Sequence, residues 1–69
     1  MRHTSPRGDE RFERFFTDNF GRVRAYVARR VAPSLVDDAT LATFVVAWRK
    51  FDSTPEPTLA WVLRIASFE

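Results

Sequence analysis

The stretch TFVVAWRKFDS, Thr43 to Ser53, sets two large aromatics, Trp48 and Phe51, around the pair Arg49-Lys50. Aromatics and cations mixed on one surface would suit a nucleic acid. An amphipathic helix would sort the two kinds onto different faces. Trp48 and Phe51 are three residues apart and share a helix face, from which Arg49 and Lys50 fall away. Periodicity therefore assigns both aromatics to a core and both cations to solvent.

Working outward, Val36, Thr40, Thr43, Ala47 and Phe51 recur on one helical face, with Phe44 and Trp48 beside them. This predicts a helix from Leu35 to about Phe51. Ser34 and Asp37 have the spacing of a capping box that would open it. Upstream, Phe12, Phe16, Phe20, Val23, Val27 and Val31 recur in steps of three and four. That stripe predicts one long helix from Asp9 to Ala32, where Pro33 forces the preceding residue out of the α region. Asp9, Glu10 and Glu13 near its start and Arg29 and Arg30 near its end suit the helix dipole. Gly21 inside the stripe costs about 1 kcal/mol relative to Ala and implies a close helix–helix approach or a bend. Downstream, DSTPEP reads as a loop. Thr58 is placed to cap a third helix, LAWVLRIASFE, with Leu59, Val62, Ile65 and Ala66 on one face. No β-type alternation occurs. The expected fold is all-α, a three-helix bundle over residues 9–69 behind a disordered lead, Met1 to Gly8.

The totals narrow the function classes. Sixty-nine residues make one small domain, and a chain of that size buries only about 60% of its unfolded surface. There is no cysteine to reinforce it, and His3 is the only histidine, which argues against a metal site. No cofactor is expected. The net charge is +2, with Arg2 and Arg7 contributing from the lead. All positive residues but Lys50 are Arg, which suits bidentate phosphate contacts and equally a GC-rich genome. No apolar run approaches the ~20 residues of a membrane span, and the opening MRHTSPRGDE lacks the apolar segment of a signal peptide. No membrane partner and a cytoplasmic location are expected. Asp37 and Asp38 are adjacent, so they diverge on a helix and form no acid–base pair. No catalytic triad or phosphate loop is present, and the chain is not expected to be an enzyme.

Two features exceed what a plain bundle needs. Leu41, Val45 and Val46 extend the apolar surface of the second helix most of the way round. Either the first and third helices cover it on both sides, or an apolar strip bounded by Asp37 and Asp38 remains to dock a partner helix. Trp61 is either a core anchor or a stacking platform, with Arg64 one turn on to meet phosphate. A helix-turn-helix reader is disfavoured, because SLVDD opens the second helix with no basic residue.

The run VDDATLATFVVAWRKFD, a short Pro-containing loop and LAWVLRIA resemble the second domain of the extracytoplasmic-function sigma factors of bacterial RNA polymerase. RFERFFTDNFGRVRAYVARRV is similar to the family's first helix, and the resemblance covers about Phe12 to Ala66. It implies that the second helix binds the coiled coil of the polymerase β′ subunit through Asp38, Leu41, Ala42, Val45 and Trp48. It also implies that the following loop and the third helix hold the single-stranded non-template strand of the promoter −10 element. Lys50, Phe51, Ser53, Thr54, Trp61 and Arg64 are the residues at that position. An anti-sigma factor is a further partner of this family.

Two places depart from the family pattern. Leu41-Ala42 stand where members often have Gln-Glu or Ala-Glu, which removes a carboxylate from the polymerase contact. After Ile65-Ala66 the family continues with a polar residue, an Asn and a long basic helix, and here Phe68 stands where the Asn would be. The domain is thus expected to be incomplete at its C-terminal end, as a fragment, a truncated product or a degenerate homologue. The resemblance implies a non-enzymatic domain that docks on polymerase and binds opened promoter DNA. The alternative is an interaction module that binds polymerase or an anti-sigma factor without opening a promoter.

Overall fold

The computed structural model describes the backbone of residues 6–68 and the side chains of residues 10–68. It contains three α-helices: α1, Pro6–Ala28; α2, Val36–Phe51; and α3, Leu59–Phe68. A 3-10 turn, Pro33–Leu35, precedes α2. Among the described residues there is no strand, so the all-α expectation holds.

The helix α1 begins at Pro6, three residues before the expected start at Asp9. Proline is well suited to a first helical position, where its missing N–H costs no bond and its φ is already helical. The rest of the expected lead, residues 1–5, lies outside the described residues. At the other end α1 stops at Ala28, earlier than the stripe predicts. The Arg30 amide donates to the Val27 carbonyl at 2.9 Å, a tightened last turn. The chain must then reach the extended conformation of Ala32 (φ −62°, ψ 148°) that Pro33 requires.

The capping box does not form. Leu35, not Ser34, precedes α2, and no side chain caps it. The 3-10 turn does this work instead, with the Leu35 amide donating to the Ala32 carbonyl at 2.8 Å and the Val36 amide to that of Pro33. Asp37 is engaged elsewhere: its carboxylate accepts from Arg24 Nε at 2.9 Å, linking α1 to α2. The pair is exposed, so its worth is about 0–1 kcal/mol. Thr58 does cap α3, its hydroxyl accepting from the Trp61 amide at 3.2 Å.

The buried face of α2 is the predicted one, Val36, Thr40, Thr43, Ala47 and Phe51, with Phe44 added. Both threonines are buried without penalty because each hydroxyl donates to a carbonyl one turn back, Val36 at 2.7 Å and Ala39 at 2.9 Å. On α1, Val23 and Val27 are buried as the stripe predicts, but so is Phe15, which lies outside it. The helix α1 faces both α2 and α3, so its buried arc is wider than one stripe. Phe15 is the ring that meets α3, 5.8 Å from Trp61.

Gly21 is exposed, and a Cβ built there meets nothing within 4 Å. It marks no close approach of helices. Its φ is not positive, so the residue carries only the entropic cost of glycine in a helix. Gly21→Ala should therefore stabilise the fold by about 0.5–1 kcal/mol. That raises the thermal midpoint by several degrees, at ~4–8 °C per kcal/mol for a domain this small. A lowered midpoint in a circular-dichroism melt would show that the position is packed after all.

Candidate functional site

The side of α2 opposite the core carries five of the residues singled out from the sequence. Asp38, Leu41, Ala42, Val45 and Trp48 are all exposed and recur at the three- and four-residue spacing of one helix face. Leu41, Val45 and Trp48 are 50%, 49% and 55% exposed, so three large apolar side chains stand together in solvent. Phe12 and Phe16 of α1 extend the patch, forming with Leu41, Phe44, Val45 and Trp48 an apolar groove of about 390 Å³. Of the two sequence readings for the excess apolar surface, the exposed strip is the one found.

This corrects the placement of Trp48. Its three-residue spacing from Phe51 put both rings in the core, but only Phe51 is buried. Residues three apart are offset by about 60° around a helix axis. Here the edge of the buried arc falls between them. On the Phe51 side lie the rings of Phe12 and Phe15, at 5.2 and 5.4 Å. On the Trp48 side α1 offers only the rim of the groove.

The second constellation lies where α2 ends against α3. Val46, Lys50, Trp61, Arg64, Ile65 and Phe68 line a groove of about 240 Å³. Lys50 and Arg64 are exposed cations at its rim, and Trp61 is half-buried between them and the core. Trp61 thus combines both sequence readings, since it anchors on Phe15 and Phe51 and still presents a side to the groove. Val46, Ile65 and Phe68 were not singled out for this site. Their signal was present: Trp61, Arg64, Ile65 and Phe68 follow the spacing of one helix face, as do Val46 and Lys50. Phe12 and Phe16 join the other groove only through helix docking, which no local spacing reveals.

Three other residues expected at the strand-binding position sit differently. Phe51 is 4% exposed, ringed by Phe12, Phe15 and Trp61 and covered by the Arg11 guanidinium at 5.1 Å. Its faces are closed to an incoming base. Ser53 and Thr54 donate their hydroxyls to the Lys50 carbonyl, at 3.1 and 2.7 Å. They finish the last turn of α2, whose carbonyls have no helical partner. The cation–aromatic mixture of the opening stretch is thus resolved: Phe51 is core, and Lys50 reaches the groove edge with Trp61 of α3.

Among the described residues no three His, Cys, Asp or Glu side chains gather as they would around a metal ion. No described helix is long and apolar enough to cross a membrane. Comparison with known proteins finds no matching family model, no matching curated protein and no matching solved structure.

The two aromatics of the opening stretch should respond oppositely to truncation. Trp48→Ala should change unfolding free energy by less than about 1 kcal/mol, in line with an exposed position. Phe51→Ala should cost about 3–5 kcal/mol, enough to unfold most of the chain. Urea titrations followed by circular dichroism read both, and equal losses would reject the burial difference.

Proposed function

We propose that this chain is a sigma-factor second domain, which docks on core RNA polymerase and holds the opened −10 promoter strand. The observation that carries the reading is the exposed apolar face of α2. A monomeric domain seldom leaves three large apolar side chains side by side in water unless something covers them. Here they stand on the helix that, by the sequence resemblance, binds the β′ coiled coil. An amphipathic face laid against a helical partner is an established recognition mode. Asp38 ends the strip with a charge that would orient that partner.

The DNA half of the reading is supported by the Lys50, Trp61 and Arg64 groove. A single strand needs cations along its backbone and an aromatic for its bases. Trp61 provides one platform, worth about 1–3 kcal/mol for one base. Two cations give a shallow salt dependence, about 0.7 per neutralised phosphate on a single strand. Asp52 and Glu56, in the adjoining loop, offset part of that attraction. The domain alone is therefore a weak DNA binder and acts on promoters only when polymerase holds it. One finding favours the second reading, an interaction module that binds polymerase or an anti-sigma factor without opening promoters. Phe51 is buried away from any incoming base, and the hydroxyl protons of Ser53 and Thr54 are already given to the Lys50 carbonyl, which leaves these groups no donor for a phosphate.

Asp38→Arg should keep its helicity, because exposed substitutions rarely shift stability by more than about 0.5 kcal/mol, yet lose capture by immobilised β′ coiled coil. Equal capture of both versions would reject this docking face. In gel shifts, the chain should prefer single-stranded −10 DNA to duplex weakly, and Trp61→Ala should remove the preference. Polymerase capture without any single-strand preference would select the interaction-module reading.

A further inference from the structure

The outward row of α2 is complementary to itself. Asp38, Ala42, Val45 and Arg49 lie along one line of the helix, opposite the buried Val36, Thr40, Thr43 and Ala47. All four are exposed. The row is acidic at its start, basic at its end and apolar between, with Leu41 and Trp48 along one flank. A two-fold axis through its midpoint, between Thr43 and Phe44, lays the row antiparallel on itself. Asp38 then faces the partner's Arg49, and Ala42 faces the partner's Val45. The two-fold repeats both pairings. On the flank, Leu41 comes beside the partner's Trp48. A small residue set against a branched one lets the helices approach closely, and antiparallel helices place opposite dipole ends side by side. A purely apolar partner would leave Asp38 and Arg49 without counter-charges, whereas a second copy supplies both.

We propose that the chain self-associates through α2 as an antiparallel two-fold pair when nothing else covers that face. The pairing is isologous, the same patch on both copies, the commonest symmetry of homo-oligomers. One helix face is a small interface, so the pair belongs to the weak, transient class. It does not depend on the sigma-factor reading. If both hold, pairing and polymerase docking compete for the same residues, and the pair keeps the docking face out of water until polymerase takes it.

Sedimentation equilibrium of the full chain, from micromolar to millimolar concentration, tests the pairing. The weight-average mass should climb from 8.0 kDa toward twice that value. Asp38→Arg and Arg49→Asp should each weaken association at least tenfold, which is about 1.4 kcal/mol. The double variant, with the charges exchanged, should return to within about threefold of the original. Mixing the two single variants should also restore association, because a row basic at both ends then meets a row acidic at both ends. Circular dichroism of each variant separates loss of pairing from loss of fold. A chain that stays monomeric at millimolar concentration overturns the proposal, and so do single reversals without effect or a double variant that fails to recover. Capture by polymerase is read separately, so that failure would leave the docking face standing.

Discussion

Phe44 of α2 is 3% exposed and sits among three rings of α1: Phe16 at 4.8 Å, Phe20 at 5.9 Å and Phe15 at 6.4 Å. Such pairs add about 0.5–1.5 kcal/mol each beyond the area they bury. Phe15 carries the cluster onward to Phe51 at 5.4 Å and Trp61 at 5.8 Å, so α3 docks on the same rings. The chain has no cysteine and little length from which to build a core. The rotation of α2 about its own axis depends on this cluster, and the exposed surface follows from that rotation.

With Phe44 turned into α1, Thr40, Thr43 and Ala47 are carried fully inside. The two hydroxyls bond within the helix, so they need no partner across the interface. The ten residues of α3 pack on the flank of α2 that carries Val46 and Lys50. Neither neighbour covers the row from Asp38 to Arg49, and Leu41 and Trp48 stay about half exposed beside the Phe12 and Phe16 rings of α1. Apolar area is left in water, where burying it would return about 25 cal/mol per Å². A partner that lays a helix along α2 would bury that area.

The same rotation places Lys50 at the mouth of the groove that Trp61 and Arg64 share. The apolar row and the cationic groove thus lie on different sides of one short helix. In the proposed sigma-factor reading the first surface would meet polymerase and the second the promoter strand. In the self-pairing reading only the first surface is used.

The sequence by itself determined the three helices, the loop between the second and third, the cap at Thr58 and the buried face of α2. Each rests on local chemistry: helical periodicity, proline geometry and a hydroxyl within reach of an amide. The outward face of α2 was legible as surplus apolar surface, but whether α1 and α3 covered it was not. Trp48 and Phe51 have the same spacing rule and opposite environments, because only the docking of α1 says where the buried arc ends. Asp37 had the spacing of a capping partner, yet it bonds Arg24, thirteen residues away in sequence and brought near by the turn at Pro33. Phe15 fell outside the stripe because a stripe describes contact with one neighbour, and α1 has two. Local spacing decides which residues can share a face. The packing of helices distant in the chain decides which of those faces meets water.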